Sequence, residues 1–354
     1  MKRGTGMHIQ EMAKRLQITP RAIRFYEEKG LIQPEKESAS GYRRFREEDA
    51  WRLQTIIALR EVGMTIEDIR LLLDKLDQEE GSLLAYLEIQ RSYMYDRWIE
   101  LKSVIQTTET MITRLKQESQ LAPVSLYELA DANKRLRQTR KDWVDRWNFN
   151  QMAPIYDELV GKAKEGFPHQ GYGAVLNQVV EKIDPAVGEI GLDAGTGTGN
   201  LVRRFCDRGI FMCAIDQSSE MLKQCRAKNP GVETKLGTFF AIPYMDHTFD
   251  FVVSSYALHH LTDEQKCLAL AEFQRVLKPG GRLAIADFMF IDQPAREQQM
   301  ESLRNAGQLE AVREIEDEYY ADRTVLLQEL EKLGFAVEAA QSTTYVHLLY
   351  AASK

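Results

Sequence analysis

A glycine-rich loop in the C-terminal half of the chain has the residue types that hold a nucleotide-like ligand. Residues 193–200 read DAGTGTGN and follow a short apolar stretch that begins at Gly188. The glycines at 195, 197 and 199 let the backbone turn sharply and approach a ligand closely. The strand-like segment 211–215 then ends in Asp216, where an acid can accept hydrogen bonds from both hydroxyls of a ribose. The loop alone leaves a dinucleotide-binding domain open as an alternative.

A second set of chemistry-bearing residues is basic and lies near the N-terminus. Residues 1–46 contain 11 Lys and Arg against 5 Asp and Glu, a net charge of +6, which leaves −13 for residues 47–354. The overall charge of −7 argues against nucleic acid when taken alone. A local basic patch on an acidic body is nevertheless typical of a module that binds DNA.

The elements that must position these basic residues are two helices and a short wing. Apolar residues from Ile9 to Leu16 share one helix face. Thr19 is expected to cap a second helix, with Pro20 at its first position. The segment from Lys36 to Phe45, turning at Ser40 and Gly41, is expected to form the wing, which suits phosphate contacts. The predicted DNA-binding residues are Thr19, Arg21, Arg24 and Tyr26 on the second helix, and Tyr42, Arg43 and Arg44 on the wing.

A long helix is predicted to follow this module. Positions 84, 87, 91, 94, 98, 101, 105, 108, 112 and 115 step alternately by three and four, and eight of the ten are apolar. The spacing predicts a coiled-coil seam on a helix of roughly 45–50 Å, although a helix packed on its own domain is an alternative. Pro123 interrupts the helix, and the charged stretch from Asp131 to Asp145 predicts a connecting helix.

Residues 8–75 closely resemble the MerR family of bacterial transcription regulators. The resemblance rests on ITPRAIRFYEEKGLI at 18–32, SGYRRF at 40–45 and GMTIEDI at 63–69. It implies a homodimer, paired antiparallel through the 84–115 helix, that binds promoter DNA and distorts it for RNA polymerase. Metal-sensing members hold their ion with cysteines at the ends of this helix. Because the first cysteine is Cys206, no metal site is expected, and the cysteines are interpreted as reduced structural thiols.

Residues from about 145 to 354 resemble class I S-adenosylmethionine-dependent methyltransferases. Besides the glycine loop, the resemblance rests on FDFVVSSYALHHL at 249–261, RVLKPGGRLAIAD at 275–287 and HLLYAA at 347–352. It implies a Rossmann-like, seven-stranded α/β domain, with a lid from Trp147 to Val160. One departure is Gly237-Thr238-Phe239, where many members carry an acid for the adenine. The implied cofactor-binding residues are Tyr156, Asp193, Gly195, Thr196, Gly197, Gly199, Asp216, Gln217, Met221, Thr238, Phe239 and Ser254.

Candidate catalytic residues follow two later strands of the same domain. A sulfonium donor is already activated, so a protein needs mainly to align an acceptor and exclude water, and a base helps only if the acceptor carries a proton. His259, His260 and Asp287 are candidates for direct roles, although the two histidines also match a common turn of the family. Acceptor-binding residues are expected in the insertion at 292–328, which contains Tyr319 and Tyr320, and also at Phe167, Tyr172 and Phe290.

The sequence therefore predicts a multidomain chain with boundaries at 1–75, 76–120, 121–145 and 146–354. No apolar run approaches the length of a membrane span and no signal peptide precedes the first domain, so a cytoplasmic, nucleoid-associated protein is expected. The leading hypothesis is a regulator that binds S-adenosylmethionine and methylates a small molecule that acts as its inducer. The alternative is a regulator that senses cofactor or drug without turnover. A DNA methyltransferase is disfavoured because SSYA stands at 254–257, where adenine-specific enzymes carry an Asn/Asp-Pro-Pro-aromatic motif.

Overall fold

The protein is described by a computed structural model that covers residues 6–37, 41–77, 83–117, 123–162 and 169–353. Contacts divide the chain into two units, Met1–Trp98 and Ile99–Lys354. One hydrophobic core belongs to the first unit, and two core clusters belong to the second. Among the described residues, none of the helices combines the length and apolar composition that a membrane span requires.

The first unit is a helical domain with a minimal antiparallel ladder. Thr19 caps α2 by accepting a hydrogen bond from the Ala22 N–H at 3.1 Å, and Pro20 occupies the first position, where its missing N–H is tolerated. Two-residue strands form the ladder, and residues 38–40 between them, which include Ser40 of the predicted turn, lie outside the described residues. The elements are α1 (Ile9–Arg15), α2 (Pro20–Glu28), β1 (Glu35–Lys36), β2 (Arg43–Arg44), α3 (Glu47–Glu61) and α4 (Ile66–Asp77).

Two longer helices follow α4 in the chain, and the first of them crosses the boundary between the two units at Trp98. Helix α5 spans Leu83–Gln117 and α6 spans Pro123–Lys141. Helix α6 begins before the charged stretch that predicted it, because proline is well tolerated in the first turn of a helix. Seven apolar side chains on the predicted seam of α5 have exposed fractions between 37% and 62%: Leu84, Leu87, Met94, Leu101, Ile105, Ile112 and Leu115.

The second unit is built on a mixed sheet whose strand order is β5-β4-β3-β6-β7-β10-β9. Strands β3 to β7 run parallel to one another, whereas β10 is antiparallel to both β7 and β9. A short strand, β8, pairs with the end of β7 and makes the sheet eight-stranded, one strand more than expected. The strands are β3 (Ile190–Ala194), β4 (Phe211–Asp216), β5 (Glu233–Leu236), β6 (Phe249–Ser255), β7 (Leu277–Phe290), β8 (Ala321–Asp322), β9 (Phe335–Gln341) and β10 (Val346–Ser353).

Helices and buried apolar layers cover both faces of this sheet, so most residues of its central strands β3 and β6 are buried. The parallel strands β3, β4, β6 and β7 bring their carboxyl ends to one edge, where α/β sheets bind ligands. The helices are α7 (Phe149–Met152), α8 (Tyr156–Lys162), α9 (Tyr172–Ile183), α10 (Asn200–Cys206), α11 (Ser219–Lys228), α12 (Asp263–Val276), α13 (Gln293–Asn305), α14 (Leu309–Asp317) and α15 (Arg323–Lys332).

Candidate functional site

The glycine loop joins β3 to α10 and requires glycine at defined positions. Gly195, Gly197 and Gly199 all have positive φ, at 72°, 53° and 82°. A Cβ at Gly195 would lie 2.6 Å from the Phe239 ring, and one at Gly199 would lie 2.6 Å from the Cys225 sulfur. The loop therefore has its backbone, rather than side chains, at the edge of the sheet.

Asp216 ends β4 and is bonded to this loop. Its Oδ2 accepts the N–H of Gly197 at 2.8 Å, and its Oδ1 accepts the N–H of Ser218 at 2.9 Å. Burial raises the pKa of Asp216 to about 6, although these backbone N–H groups act in the opposite direction. Each carboxylate oxygen retains a further lone pair, so the ionised side chain can accept hydrogen bonds from a diol.

Asp193 supports the loop from beneath. Its Oδ2 accepts the hydroxyl of Thr196 at 2.7 Å, and its Oδ1 has no hydrogen-bond partner among the described residues. Burial raises the pKa of this carboxyl to about 7. Ser254 is also buried, and its hydroxyl donates to the Ala194 carbonyl at 2.8 Å. Neither Asp193 nor Ser254 lines the neighbouring cavity. Gly199 does not line it either and is the N-cap residue of α10.

A cavity with an empty volume of about 830 Å³, including its open mouth, lies over this edge. Eleven residues named from the sequence line it: Tyr156, Tyr172, Gly195, Thr196, Gly197, Asp216, Gln217, Met221, Thr238, Phe239 and His260. The lining also includes residues that the sequence reasoning missed: Trp143, Phe149, Leu201, Ile215, Gly237, Phe240, Ser255, Tyr256, Ala257 and Leu261.

The segment predicted to be a lid is tied to the loop by polar contacts. Asp157 on α8 accepts hydrogen bonds from the hydroxyl of Thr198 at 2.7 Å and from the ammonium of Lys228 at 2.8 Å. On the neighbouring helix, the Ser218 hydroxyl donates to Asn150 at 2.6 Å. Burial raises the pKa of Tyr156 well above its ordinary value, so this cavity-lining phenol stays neutral. These contacts hold α7 and α8 over the cavity.

The predicted catalytic residues separate into a buried pair and one residue of the cavity wall. His259 is only 4% exposed, and its Nδ1 lies 2.6 Å from Asp287 Oδ1. The other Asp287 oxygen accepts the N–H groups of Ala257 and Leu258 at 2.9 and 2.7 Å. Burial opposes ionisation of the pair, but their mutual attraction raises the pKa of His259 and lowers that of Asp287. These two side chains therefore hold the turn that carries His260.

His260 lines the cavity and lies beside two aromatic rings. Its ring centroid lies 4.2 Å from that of Trp147 and 4.9 Å from that of Phe149. Burial, reinforced by His259 and His169, lowers the pKa of His260 well below its ordinary value. Its Nδ1 has no hydrogen-bond partner among the described residues. The arrangement therefore holds a neutral imidazole at the cavity.

The predicted acceptor residues do not form one group. Tyr172 lines the cavity, whereas Phe290 and Tyr320 are buried in the core, with ring centroids 5.8 Å apart. Stacking of Tyr320 on Phe288, at 4.8 Å, accounts for its inward position. Tyr319 lines a neighbouring cavity beside Arg146. Phe167 lies outside the described residues.

The predicted DNA-binding residues also differ in their freedom to contact a ligand. Arg21 and Arg24 are exposed on α2, and Tyr42 is 66% exposed. Tyr26 packs against the core, and Thr19 is engaged as the helix cap. Two of the basic residues already have partners within the unit: Arg43 pairs with Glu27, and Arg44 donates to the Gly6 carbonyl.

Comparison with known proteins connects this geometry to a family. Residues 192–285 match the family described as Methyltransferase domain. An uncharacterized methyltransferase of Geobacillus kaustophilus is 35% identical over 210 residues, which cover 57% of this chain and 94% of that relative. The chain belongs to the methyltransferase family. An uncharacterized methyltransferase of Oceanobacillus iheyensis is 32% identical over 207 residues, which cover 57% of this chain and 94% of that relative.

The methyltransferase domain is accompanied by a second family match. Residues 7–76 match the family described as MerR HTH family regulatory protein, so the chain also carries a MerR-type helix-turn-helix domain. Among solved structures, a magnesium protoporphyrin IX methyltransferase from Synechocystis PCC 6803 with bound SAH is 16% identical. That comparison has a TM-score of 0.45 and covers 58% of this chain and 97% of that one.

Proposed function

We propose that the methyltransferase domain binds S-adenosylmethionine at the carboxyl edge of its sheet and methylates a small molecule. The observation that carries the proposal is the bond between Asp216 and the Gly197 N–H, at 2.8 Å, in the wall of the cavity. It joins a diol-binding carboxylate to a loop whose glycines bring the backbone to a ligand. The same wall contains Met221 and Tyr156.

The residues of the cavity fit the parts of this cofactor. Gly195 and Gly197 would hold the methionine part, Asp216 the ribose, and Thr238 and Phe239 the adenine. Recognition of the adenine amino group would rest on Thr238 and on backbone groups, because no acid stands at 237–239. When bound, the cofactor supplies an activated methyl group. The protein then needs to orient an acceptor and exclude water. Asp157 and Asn150 support this, because their hydrogen bonds hold α8 and α7 in place.

At the acceptor end we assign the functional polar group to His260. Its imidazole is neutral, reaches the cavity and has an Nδ1 without a partner among the described residues. His259 and Asp287 are positioning residues, because they bond to each other and to the turn rather than to the cavity. Tyr172 and Phe149 line the cavity with aromatic surface, and Phe149 lies beside His260, which favours an acceptor with apolar or aromatic groups.

The MerR-type domain supports a regulatory role for the whole chain. Arg21 and Arg24 form an exposed basic pair on α2, the helix that would enter the major groove. The exposed apolar seam of α5 supports a homodimer, which would match the two halves of a near-palindromic promoter site. In this proposal the methyl acceptor is also the inducer, and its binding alters how the dimer presents promoter DNA to RNA polymerase.

Incubation of the purified full-length protein with S-adenosylmethionine labelled in the methyl group tests the proposed reaction. A small-molecule library supplies the acceptors. Label transfer is expected from the wild type and from His247→Gln, whose histidine lies away from the cavity and bonds to the Leu277 carbonyl. Transfer should be lost in His260→Gln. Tight cofactor binding without transfer to any acceptor would instead support a regulator that senses its ligand without turnover.

A further inference from the structure

Three side chains with metal-ligating atoms converge beside the proposed acceptor end. His259, His260 and Glu318 each offer one ligand atom, and these atoms all lie within 4.8 Å of one another. The two histidines follow β6, whereas Glu318 follows α14, so the cluster exists only in the folded chain. The prediction of no metal site rested on the positions of the cysteines, and this group consists of two histidines and a glutamate.

Two atoms of the cluster are buried and have no hydrogen-bond partner within the part of the chain that the structure describes. They are Nδ1 of His260 and Oε2 of Glu318. A buried polar atom that lacks a partner is destabilising, and more so for a charged group, so such atoms are expected to have a ligand. Glu318 Oε2 lies 3.8 Å from His259 Nε2, which is too long for a hydrogen bond. A cation between these atoms would satisfy all of them.

The support behind His259 is the arrangement that metal-binding histidines commonly have. Asp287 Oδ1 lies 2.6 Å from His259 Nδ1, which leaves Nε2 directed toward Glu318. A carboxylate on the far nitrogen fixes the ring and raises the basicity of the ligating nitrogen. Asp287 is itself fixed by the N–H groups of Ala257 and Leu258. The orientation of His259 is therefore set before any ligand binds.

The segment that carries Glu318 is bonded to the histidine turn. The Tyr319 N–H donates to the His259 carbonyl at 2.9 Å. Lys266 donates to the carbonyls of Leu261 and Tyr319 at 2.8 and 2.7 Å, and its charge is matched by Asp263 at 3.1 Å. Lys266 thus holds both segments together. The three ligand-type side chains are held on one network of backbone contacts, which favours a built site.

We propose that His259, His260 and Glu318 bind one first-row divalent ion, of which Zn²⁺ is the representative. Bond lengths of about 2.0–2.2 Å to a tetrahedral ion place ligand atoms roughly 3.4 Å apart. The three ligand atoms lie within 4.8 Å of one another, so a small rotation of the Glu318 side chain brings the set toward that spacing while His259 stays in place. Two carboxylates, Glu318 and Asp287, balance the charge of a divalent ion. Three protein ligands are typical of sites that keep a position open for water or substrate. Because His260 lines the cavity, the open position would face the acceptor.

The functional consequence rests on the proposed methyl transfer. An ion at this place would act as a Lewis acid that lowers the pKa of an acceptor hydroxyl, whose proton would pass to solvent water. The acceptor oxygen would then form a bond to the methyl carbon while the methyl–sulfur bond breaks and S-adenosylhomocysteine leaves, and His260 would act on the acceptor through the ion. This specifies the acceptor class as one with an ionisable hydroxyl. Binding of the ion itself does not depend on turnover, so it can be measured separately.

Metal binding to the full-length protein, stripped with a chelator, tests the site. Equilibrium dialysis against ZnCl₂ with elemental analysis gives the stoichiometry, and the visible spectrum with CoCl₂ reports the coordination. We expect one ion per chain in the wild type, and affinity at least about tenfold weaker in Glu318→Gln and His260→Gln. Glu314→Gln on α14 and His247→Gln are the matched controls and should bind the ion as the wild type does. Thermal unfolding of each variant verifies that it is folded.

Two outcomes would overturn the metal site. One is the absence of a stoichiometric ion in the wild type, and the other is unchanged affinity in both folded ligand variants. Calorimetric titration of S-adenosylmethionine into the metal-free protein separates this failure from that of the proposed function. Cofactor binding without metal binding contradicts the metal site alone, whereas metal binding without cofactor binding contradicts the proposed function.

Discussion

The carboxylate of Asp216 accepts a hydrogen bond from the backbone N–H of Gly197 at 2.8 Å. This bond connects the end of β4 to a loop whose glycines all have positive φ. Both residues line the cavity, so the contact fixes the distance between the proposed ribose site and the proposed methionine site. The predictions for the cofactor follow from this relationship.

Cofactor affinity should fall as the pH is lowered through about 6. Burial raises the pKa of Asp216 to about 6, and the ionised form is the one that accepts hydrogen bonds from a ribose. The ionised form predominates above that pKa and is lost below it. Between pH 8 and pH 5 the dissociation constant should rise by about tenfold. Calorimetric titration across this range should show the change in the wild type, and it should be absent in Asp216→Asn. A persistent pH dependence in that variant would assign it to another group, such as Asp193.

Asp157→Asn should shorten the lifetime of the bound cofactor. The Asp157 carboxylate bonds to Thr198 and Lys228, and these contacts hold α8 over the cavity. Their loss should raise the dissociation rate about five- to tenfold, with a smaller effect on association, because most changes in affinity within one site are changes in dissociation. Stopped-flow displacement measures both rates. Glu181→Gln on the exposed side of α9 is the control, and equal rates in both variants would contradict the lid assignment.

Replacement of one seam residue should disrupt the proposed dimer. Ile105 is 59% exposed on α5, so a charge there has no structural reason to unfold the isolated chain. Ile105→Glu would place one carboxylate from each protomer at an apolar interface, where loss of hydration and like charge both oppose pairing. Light scattering should show a dimer for the wild type and a monomer for this variant. Val187→Glu, at a 93% exposed position in the second unit, should remain dimeric. A wild-type monomer would contradict the proposal.

Arg24→Ala should weaken binding to the operator by roughly 5- to 150-fold, because a base contact in the major groove contributes about 1–3 kcal/mol. Arg24 is exposed on α2, whereas Arg43 is held by Glu27. Replacement of Arg43 should therefore have the smaller effect. Mobility-shift titration at a stated salt concentration measures both, with Arg135→Ala on α6 as the control. An unchanged affinity in Arg24→Ala would show that α2 does not read the site.

The features that sequence predicted well have local causes. Thr19 and Pro20 mark the start of α2 because capping and the missing proline N–H act within one turn. The glycine loop and Asp216 were found because close backbone approach and the strand end need defined residue types at short spacing. The same motifs predicted the Rossmann-like fold, which the family match and the mixed sheet confirm.

Long-range packing accounts for what the sequence did not predict. Trp143 and Phe149 reach the cavity from the segment around α7, which has no periodic pattern. Tyr256 directly follows β6, and that position at the carboxyl edge was a usable signal that the reasoning missed. Tyr320 was expected at the acceptor site because it is aromatic, but stacking on Phe288 places it in the core. Glu318 meets His259 only through the tertiary fold.

The central claim is that one chain carries a cofactor site at Asp216 and a separate DNA-binding domain. The most direct test is calorimetric titration of S-adenosylmethionine into full-length wild type and Asp216→Asn, with Asp207→Asn, an exposed acid after α10, as the control. We expect one cofactor per chain in the wild type and in the control, about 100-fold weaker binding in Asp216→Asn, and operator binding equal in all three. Equal cofactor affinity in wild type and Asp216→Asn would contradict it.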